Sequence, residues 1–327
     1  MMKKTILISG GAGFVGLNLT DYILKIGKYK IIILDNLSSG NLELLKDIVK
    51  KNKAEYSERL SEKADVIFIK GDVRDKKLDN IFEATDFVVH LAAQTGVIPS
   101  IENPFSDAEI NIMGILNLLN YSVKYKIKKF VFSSSAAPLG EQLPPLDEGK
   151  IPSPLSPYGA SKLAGEGYCK AFYGSFGVNT VVLRFSNVYG IYSYHKGSVV
   201  AEFLKRIMGK KSIYIYGDGN QTRDFIYAGD LANVIIRAIE KKGVGGEIFQ
   251  LGTGVETSVN QLVKYIKDIV KEDVIVEYKP ERKGEIRRNW TSIRKANKIL
   301  EFKPDINLKK GLELTYDWFK KRGKNAF

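Results

Sequence analysis

The sequence predicts an α/β protein in which a doubly wound parallel sheet is followed by a smaller C-terminal α/β region. Three observations predict this class. Short apolar runs alternate with amphipathic segments through the first half of the chain, as in a parallel sheet wound with helices. A glycine-rich turn joins the first apolar run to an amphipathic segment, and after about Asn187 the elements become shorter and the turns more frequent.

Six apolar runs are candidate strands, and three longer amphipathic segments are candidate helices. The predicted strands are Thr5–Ser9, Lys30–Leu34, Val66–Lys70, Phe87–Leu91, Phe130–Ser133 and Thr180–Arg184. The predicted helices are Phe14–Ile26, Ala108–Tyr125 and Pro157–Phe176. We expect the charged stretch Asn41–Lys63 to be an added helical segment between the second and third strands.

The composition is that of a folded protein with a large core. The chain has 327 residues, of which 44% are hydrophobic and 27% charged. Its single cysteine, Cys169, excludes an intramolecular disulfide and favours a reducing compartment. The first apolar run is too short for a signal peptide, and no stretch approaches the ~20 apolar residues that span a bilayer. A cytoplasmic protein without a membrane partner is therefore expected.

The first predicted strand runs directly into the sequence GGAGFVG at residues 10–16, which opens the first helix. Gly10, Gly13 and Gly16 permit a tight turn, let the backbone approach a pyrophosphate and let the helix pack close to the strand. The N–H groups and dipole of the helix N-terminus favour phosphate. This strand–turn–helix context predicts a dinucleotide site that also includes Phe14 and Val15.

Further cofactor contacts are expected where the next strands end. Asp35 lies at the end of the second strand, where a carboxylate accepts from ribose hydroxyls and repels a 2′-phosphate, which favours NAD over NADP. Asp72, after the third strand, is placed to receive the adenine amino group. The other residues expected around the cofactor from these loops are Asn36, Ser39, Val73, Leu91, Ala92, Ala93 and Gln94.

Two domains with an interleaved boundary are expected. Residues 1–187 are predicted to form a dinucleotide-binding domain that carries the catalytic residues. Residues 188–327 are predicted to form a substrate-binding region. The segment at about 226–251 is expected to return to the main sheet.

Tyr158 and Lys162 stand four residues apart and therefore share one face of a predicted helix. A lysine ammonium near a phenol stabilises the phenolate and lowers its pKa. A group that normally titrates near ~10 then becomes an acid/base catalyst near neutral pH. Ser135 ends a serine cluster at the close of an upstream strand. With the dinucleotide loop, these three residues predict hydride exchange at a carbinol carbon, assisted by the tyrosine.

These residues and several further motifs resemble the NAD-dependent nucleotide-sugar epimerase/dehydratase family of the extended short-chain dehydrogenases/reductases, from Thr5 to about Asp317. The motifs are the glycine loop, Gly71-Asp72-Val73, His90-Leu91-Ala92-Ala93, Ser133-Ser134-Ser135, Tyr158-x-x-x-Lys162, Arg184-Phe185-Ser186-Asn187-Val188-Tyr189-Gly190 and Gly217-Asp218-Gly219-x-Gln221-Thr222-Arg223-Asp224-Phe225. The resemblance implies a Rossmann-like fold, NAD as the cofactor and a nucleotide sugar as the substrate.

The resemblance also implies roles for single residues. Ser135 would hydrogen-bond the sugar hydroxyl under oxidation, Tyr158 would remove its proton, and Lys162 would bind the nicotinamide ribose. Ser133 and Phe185 would line the nicotinamide side. The substrate-binding residues, besides Ser135 and Tyr158, would be Asn187, Val199, Tyr216, Arg223 and Arg282. Arginine suits the diphosphate because its planar guanidinium meets phosphate oxygens in pairs.

The residues after Ser135 separate the branches of the family. In this family, the dehydratases carry an Asp-Glu pair after the serine or threonine, and the UDP-glucuronate decarboxylases carry a glutamate at this place. In this chain the residues after Ser135 are Ala136 and Ala137, whose side chains cannot transfer protons. An isomerase, a UDP-sugar 4-epimerase, needs no further group and is therefore expected. UDP-glucose and UDP-galactose, with their N-acetyl forms, are the first choice of substrate, and UDP-glucuronate stays open. Pro138-Leu139 replaces the Val-Tyr common in the family, so an aromatic near the sugar is missing.

The remaining expectations concern partners. The net charge of +13 raises a non-catalytic nucleotide- or RNA-binding relative as an alternative. However, the lysines are dispersed among acidic residues and form no basic stripe, so nucleic acid is not expected. The family resemblance implies a homodimer, in which the helices Ala108–Tyr125 and Pro157–Phe176 pack against their copies. No metal ligand set is predicted.

Overall fold

The computed structural model describes residues 3–281 and 286–323. Its strands are β1 (Lys4–Ser9), β2 (Tyr29–Asp35), β3 (Tyr56–Ser57), β4 (Val66–Lys70), β5 (Phe87–His90), β6 (Lys129–Ser135), β7 (Thr180–Phe185), β8 (Asn187–Tyr189), β9 (Ile213–Tyr216), β10 (Thr222–Arg223), β11 (Phe225–Tyr227), β12 (Glu247–Leu251), β13 (Thr257–Ser258) and β14 (Val276–Lys279). Its α-helices are α1 (Phe14–Ile26), α2 (Leu42–Lys51), α3 (Asp79–Glu83), α4 (Val97–Glu102), α5 (Pro104–Ala108), α6 (Gly114–Lys124), α7 (Pro157–Phe176), α8 (Val199–Met208), α9 (Ala228–Glu240), α10 (Val259–Val270), α11 (Arg294–Leu300) and α12 (Leu308–Gly323).

Eight strands form the central sheet, in the order β12-β7-β6-β5-β1-β2-β4-β3. The strand pairs from β6 to β3 along this order are parallel. β1 lies between β2 and β5, with Ile6 opposite both Ile31 and Phe87. The chain therefore winds outward from β1 in two directions. The loops that follow β1 and β5 meet where the strand order reverses, which is where doubly wound sheets bind ligands.

Of the six predicted strands, Val66–Lys70 has the bounds of β4, and the other five differ from the observed strands by one or two residues at their ends. The strands β3 and β12 of this sheet were not among the six, and α1 and α7 have the predicted bounds. The helix predicted at Ala108–Tyr125 begins earlier, because Asn103 accepts a hydrogen bond from Ser106 N and Pro104 opens α5. It also contains a π-helical turn at Glu109–Met113. The stretch Asn41–Lys63 is only partly helical, since α2 is followed by the short strand β3.

The chain divides into two compact units. The first unit contains the stretch up to Gly140 together with Ile151–Arg184 and Ala232–Phe249. Its core includes Leu7 of β1 and Leu118 of α6, both fully buried. The segment Ala232–Phe249 holds most of α9 and of β12, and β12 is the edge strand beside β7.

The second unit contains Glu141–Lys150, Phe185–Leu231 and the described chain from Gln250 onward. Its core is formed by buried residues of β9, α8, α10 and α12, which include Ile215, Phe203, Leu262 and Phe319.

The segment 141–150 lies in the second unit, whereas the sequence analysis assigned it to the first domain. Leu146 N donates to Trp290 O at 2.9 Å, and Ser292 N donates to Leu146 O at 2.8 Å. These main-chain hydrogen bonds join residues far apart along the chain and leave no pattern in the local sequence. In the described part of the chain, no helix combines the length and the apolar character that crossing a membrane requires.

Candidate active site

The glycine turn after β1 is pressed against the loop after β5. Gly10 has a φ of +71°, and a Cβ at this position would lie 2.6 Å from Ala92 N. A Cβ on Gly16 would lie 2.5 Å from Gly11 Cα. Gly13 caps α1, whose first turn carries no acidic side chain. The close backbone approach requires glycine, and the helix N-terminus favours a phosphate, so the turn fits the pyrophosphate of a dinucleotide.

Asp35, the last residue of β2, is only 7% exposed. Its carboxylate accepts hydrogen bonds from Ala12 N at 3.0 Å and from Leu37 N at 2.8 Å. Burial raises the pKa of Asp35, and the two N–H donors oppose this shift. The bonds hold the carboxylate beside the glycine turn. A carboxylate offers about four acceptor sites, so it can also accept from ribose hydroxyls.

Asp72 is engaged by its neighbours. Arg74 donates to its carboxylate from Nε at 2.8 Å and Nη2 at 3.0 Å, and Asn36 Nδ2 donates at 2.9 Å. Arg74 is the main reason that the pKa of Asp72 is lowered to about 2. Asp72 therefore ties the loop after β2 to the loop after β4, and its contact with adenine stays a prediction. Val73 is buried, and Ser39 is exposed.

The loop after β5 is fixed by Asn111, which the sequence analysis missed. Asn111 Oδ1 accepts from Gln94 N at 2.8 Å, and Nδ2 lies 3.1 Å from Gln94 O. Nδ2 also lies 3.1 Å from Ser161 Oγ and 3.0 Å from Asp107 Oδ1. Asn111 lies in the π-helical turn and is 3% exposed. Leu91, Ala92 and Ala93 of the same loop are partly exposed.

The predicted catalytic residues lie together at the end of β6 and the beginning of α7. Ser156 caps α7, and Tyr158 in its first turn hydrogen-bonds with Ser135. One turn further, Lys162 Nζ donates to Ser133 O at 2.8 Å. Lys162 Nζ is also 5.9 Å from the centre of the Tyr158 ring. The structure therefore places the hydroxyl, the phenol and the ammonium in one cluster.

The pKa of Tyr158 is raised, which is opposite to the predicted direction. Burial is the main cause and the negative charge of Asp107 adds to it, whereas the bond with Ser135 acts in the other direction. Burial also lowers the pKa of Lys162 to about 8, against the influence of Asp107 and Glu166. Burial and Asp107 therefore outweigh the lowering of the Tyr158 pKa that was predicted from Lys162. A positively charged nicotinamide would lower the pKa of the phenol.

A buried polar network supports this cluster. Glu166, one turn beyond Lys162, accepts from Arg184 Nε at 2.8 Å and Nη2 at 2.6 Å, and from Ser134 Oγ at 2.5 Å. The side chains of Glu166 and Arg184 are both 3% exposed. The network joins α7 to β6 and β7. The family motifs contain Arg184, but its partner lies elsewhere in the sequence.

His90, the last residue of β5, is neutral at physiological pH. Burial lowers its pKa to about 3, and the positive charge of Lys162 contributes. His90 Nδ1 is hydrogen-bonded to Ser9 Oγ at 2.7 Å, and His90 O accepts from Ser133 Oγ at 2.8 Å. His90 therefore links the ends of β1, β5 and β6 and is not a proton carrier.

The predicted substrate-binding residues of the second unit line one cavity of about 610 Å³. These residues are Asn187, Val199, Tyr216 and Arg223. The sequence analysis missed Arg206, Tyr214 and Gln221, which line the same cavity. The guanidinium of Arg206 lies 3.9 Å from the centre of the Tyr214 ring. The cavity therefore combines an aromatic wall with two arginines, a combination that suits a nucleotide.

Arg223 is held by backbone oxygens, since its Nη1 donates to Thr222 O and Ile286 O, both at 2.8 Å. The neighbouring Asp224 is 1% exposed and accepts from Thr253 N at 2.8 Å. Phe185 closes β7 and is partly exposed. Arg282, the second predicted phosphate-binding arginine, lies outside the described residues.

Within residues 3–281 and 286–323, no group of three His, Cys, Asp or Glu side chains is arranged to hold a metal ion.

Several characterised proteins are similar to this chain over nearly its whole length. A Methanocaldococcus jannaschii protein, provisionally named UDP-glucose 4-epimerase, is 41% identical over 96% of this chain and 98% of its own. The Thermotoga maritima UDP-glucose 4-epimerase, solved with UDP-glucose, is 38% identical with a TM-score of 0.87, covering 97% of this chain and 99% of that chain. The Methanobrevibacter ruminantium UDP-N-acetylglucosamine 4-epimerase, in complex with UDP-N-acetylmuramic acid, is 33% identical with a TM-score of 0.89, covering 98% of this chain and 100% of that chain.

These similarities confirm the predicted Rossmann-like α/β fold and the predicted isomerase class, since the named relatives are 4-epimerases. The predicted use of NAD is confirmed at the level of the family. The family model for NAD-dependent epimerases and dehydratases matches residues 6–252, and the chain belongs to this NAD-dependent epimerase/dehydratase family.

Proposed function

We propose that this protein is an NAD-dependent UDP-sugar 4-epimerase that interconverts UDP-glucose and UDP-galactose or their N-acetyl forms. The observation that carries the proposal is the cluster of Ser135, Tyr158 and Lys162 in the unit that holds the glycine turn. The named 4-epimerases that are similar over nearly the whole chain support it.

The glycine turn and Asp35 would hold NAD. The turn that Gly10 and Gly16 allow would place the pyrophosphate at the N-terminus of α1, and the Asp35 carboxylate would accept from the adenosine ribose. NAD, when bound, supplies a hydride acceptor that can return the hydride to the same carbon. The nicotinamide ribose is assigned to Lys162, which is the positively charged member of the cluster of Ser135, Tyr158 and Lys162.

Tyr158 is the acid/base of the reaction. As the phenolate it takes the proton from the C4 hydroxyl of the sugar, and it returns that proton after the hydride has come back. Ser135, hydrogen-bonded with Tyr158, orients the C4 hydroxyl. Because epimerisation begins and ends with the same redox state, these two residues and Lys162 supply all the acid/base chemistry that it needs.

The residues after Ser135 favour epimerisation over elimination or decarboxylation. Ala136 and Ala137 carry no group that transfers protons, and a short 3₁₀ turn covers Ala137–Leu139. Leu139 is fully buried. A Cβ on Gly140 would lie 1.9 Å from Ser153 O, so the turn is packed against a neighbouring segment. Hydride return to the other face of the 4-keto sugar is then the remaining outcome.

The second unit is assigned to the UDP portion of the substrate. Arg223 and Asn187 line its cavity and are assigned to the diphosphate. Tyr216 is assigned to the uracil, and Arg282 to the diphosphate on family resemblance alone. Accordingly, we assign NAD binding and catalysis to residues 1–187 and substrate binding to residues 188–327, with the segment at 226–251 shared.

We also propose a homodimer. Ile101, Phe105 and Met113 of the first unit are 59%, 83% and 55% exposed, and they lie on or next to α4–α6. Such a group of exposed apolar side chains on neighbouring helices is typical of a protein interface. Sedimentation as a monomer at micromolar concentration would remove this proposal. A cytoplasmic location is proposed from the single buried cysteine, Cys169.

The function is tested by incubating the protein with NAD and, separately, UDP-glucose, UDP-N-acetylglucosamine and UDP-glucuronate, with the products resolved by NMR. We expect a C4 epimer without net formation of NADH. A 4-keto-6-deoxy sugar or released carbon dioxide would contradict the proposal in favour of a dehydratase or decarboxylase. The Tyr158→Phe variant is the control, since it removes only the proton acceptor.

A further inference from the structure

Asp107 is a buried carboxylate with an incomplete set of hydrogen bonds. It is 1% exposed, and its Oδ1 accepts from Asn111 Nδ2 at 3.0 Å. Its Oδ2 is shielded from solvent and has no hydrogen-bond partner. Burying a carboxylate in this way is costly unless a positive charge compensates for the lost water. A cation in the surrounding structure is therefore required.

The buried charges around the catalytic cluster identify that cation. Glu166 and Arg184 form a bidentate ion pair, and their charges neutralise each other. Lys162 is 3% exposed and donates to Ser133 O, a neutral carbonyl. Asp107 is joined to this part of α7 through Asn111, whose Nδ2 lies 3.0 Å from Asp107 Oδ1 and 3.1 Å from Oγ of Ser161, the residue before Lys162. Among the negative groups that act on Lys162, Asp107 comes first. Since Glu166 and Arg184 neutralise each other, the four buried charges sum to zero when the negative charge of Asp107 offsets the positive charge of Lys162.

We propose that Asp107 is the counter-ion of Lys162 and a positioning residue for the catalytic cluster. This inference rests on the proposed epimerase function. Asp107 keeps the lysine protonated at the pH of the reaction. Through Asn111 it also holds Ser161 on α7 and Gln94 in the loop after β5.

The other groups that face Lys162 do not take over this role. Glu166 is paired with Arg184. His90 on β5 is neutral, since its pKa is about 3. Burial raises the pKa of Cys169, which therefore stays a neutral thiol. Lys162, whose pKa is lowered to about 8, is then the group of this cluster that changes charge near the pH of the reaction, and Tyr158 on the same helix has a raised pKa.

Loss of the negative charge at position 107 has a defined sign. A negative neighbour favours the protonated forms of both the ammonium and the phenol, and therefore raises both pKa values. Asp107→Asn should lower both. The alkaline limb of the activity profile, at which Lys162 loses its proton, should therefore move to lower pH.

The test compares the pH dependence of kcat for the wild-type protein and Asp107→Asn, with NAD bound. It also follows the titration of Lys162 by NMR of ¹³Cε-labelled lysine, with the signal assigned from Lys162→Arg. We expect the alkaline limb and the Lys162 midpoint to fall by about one pH unit or more. An unchanged Lys162 midpoint in a folded Asp107→Asn variant would overturn the proposal.

Three further variants complete the test. Glu102→Gln removes one negative charge from the exposed end of the neighbouring helix α4 and should leave profile and midpoint unchanged. Asp107→Glu keeps the charge and should restore both. Asp107→Ser keeps an oxygen acceptor for Asn111 and replaces Asp107→Asn if that variant does not fold. If the midpoint falls but the wild-type protein epimerises no UDP-sugar, the counter-ion role stands and the proposed function fails.

Discussion

Replacing Glu166 by glutamine removes the negative charge that pairs with Arg184 in the buried network beneath the catalytic cluster. Glu166 accepts three hydrogen bonds, at 2.8 and 2.6 Å from Arg184 and at 2.5 Å from Ser134. A glutamine amide has only one acceptor oxygen, and its NH₂ group would point at the N–H and O–H donors of Arg184 and Ser134 that lose their acceptor. Arg184 Nη1 is already buried without a partner, so the uncompensated guanidinium has no alternative acceptor there.

The expected cost follows from the burial of both side chains. Each is 3% exposed, and leaving one member of such a pair unpaired costs about 3–5 kcal/mol. This is a large part of the roughly 5–15 kcal/mol that separates a folded protein from its unfolded state. With a denaturant slope of about 3 kcal/mol/M or more for a chain of this size, the urea midpoint should fall by about 1 M.

The measurement is urea unfolding followed by far-UV circular dichroism. Glu58→Gln is the matched control, because the 2.8 Å pair of Glu58 with Lys46 has side chains that are 54% and 49% exposed. That variant should barely move the midpoint. The double variant Glu166→Leu/Arg184→Met removes both charges and should recover most of the loss. Equal shifts for Glu166→Gln and Glu58→Gln would refute the reasoning.

Three further predictions concern the site. Tyr158→Phe should abolish epimerisation while NAD stays bound, because only the proton acceptor is deleted. Turnover and the NAD content of the purified protein are measured, and a turnover equal to that of the wild type would contradict the role of Tyr158 as the acid/base. Asp35→Asn removes the charge that repels a 2′-phosphate, so the ratio of Kd for NADP to Kd for NAD should fall by about tenfold; an unchanged ratio would show that Asp35 does not set the preference. Gly10→Ala introduces a Cβ 2.6 Å from Ala92 N at a φ of +71°, where a side chain costs about 1–2 kcal/mol before any clash, so NAD affinity should fall at least about tenfold. Isothermal titration with NAD checks this, and unaltered affinity would mean that the turn tolerates the substitution.

The features that could be predicted from the sequence are those set by neighbours along the chain. The glycine spacing, Asp35 at the end of β2 and the four-residue separation of Tyr158 and Lys162 each follow from local geometry. A turn needs glycine where φ is positive, and a helix brings residues four apart onto one face. The roles of Asn187, Tyr216 and Arg223 as substrate residues were implied by the family resemblance, and the structure brings these three residues into one cavity.

The sequence by itself thus determined the fold class, the dinucleotide turn and the catalytic spacing of this protein. Only the tertiary structure decided the electrostatics: which carboxylate faces Tyr158 and Lys162, which one neutralises Arg184, and in which direction the pKa of the tyrosine moves. It also decided that residues 141–150 belong with the second unit. The physical reason is that burial and charge act through space between segments distant along the chain, whereas spacing acts only along it.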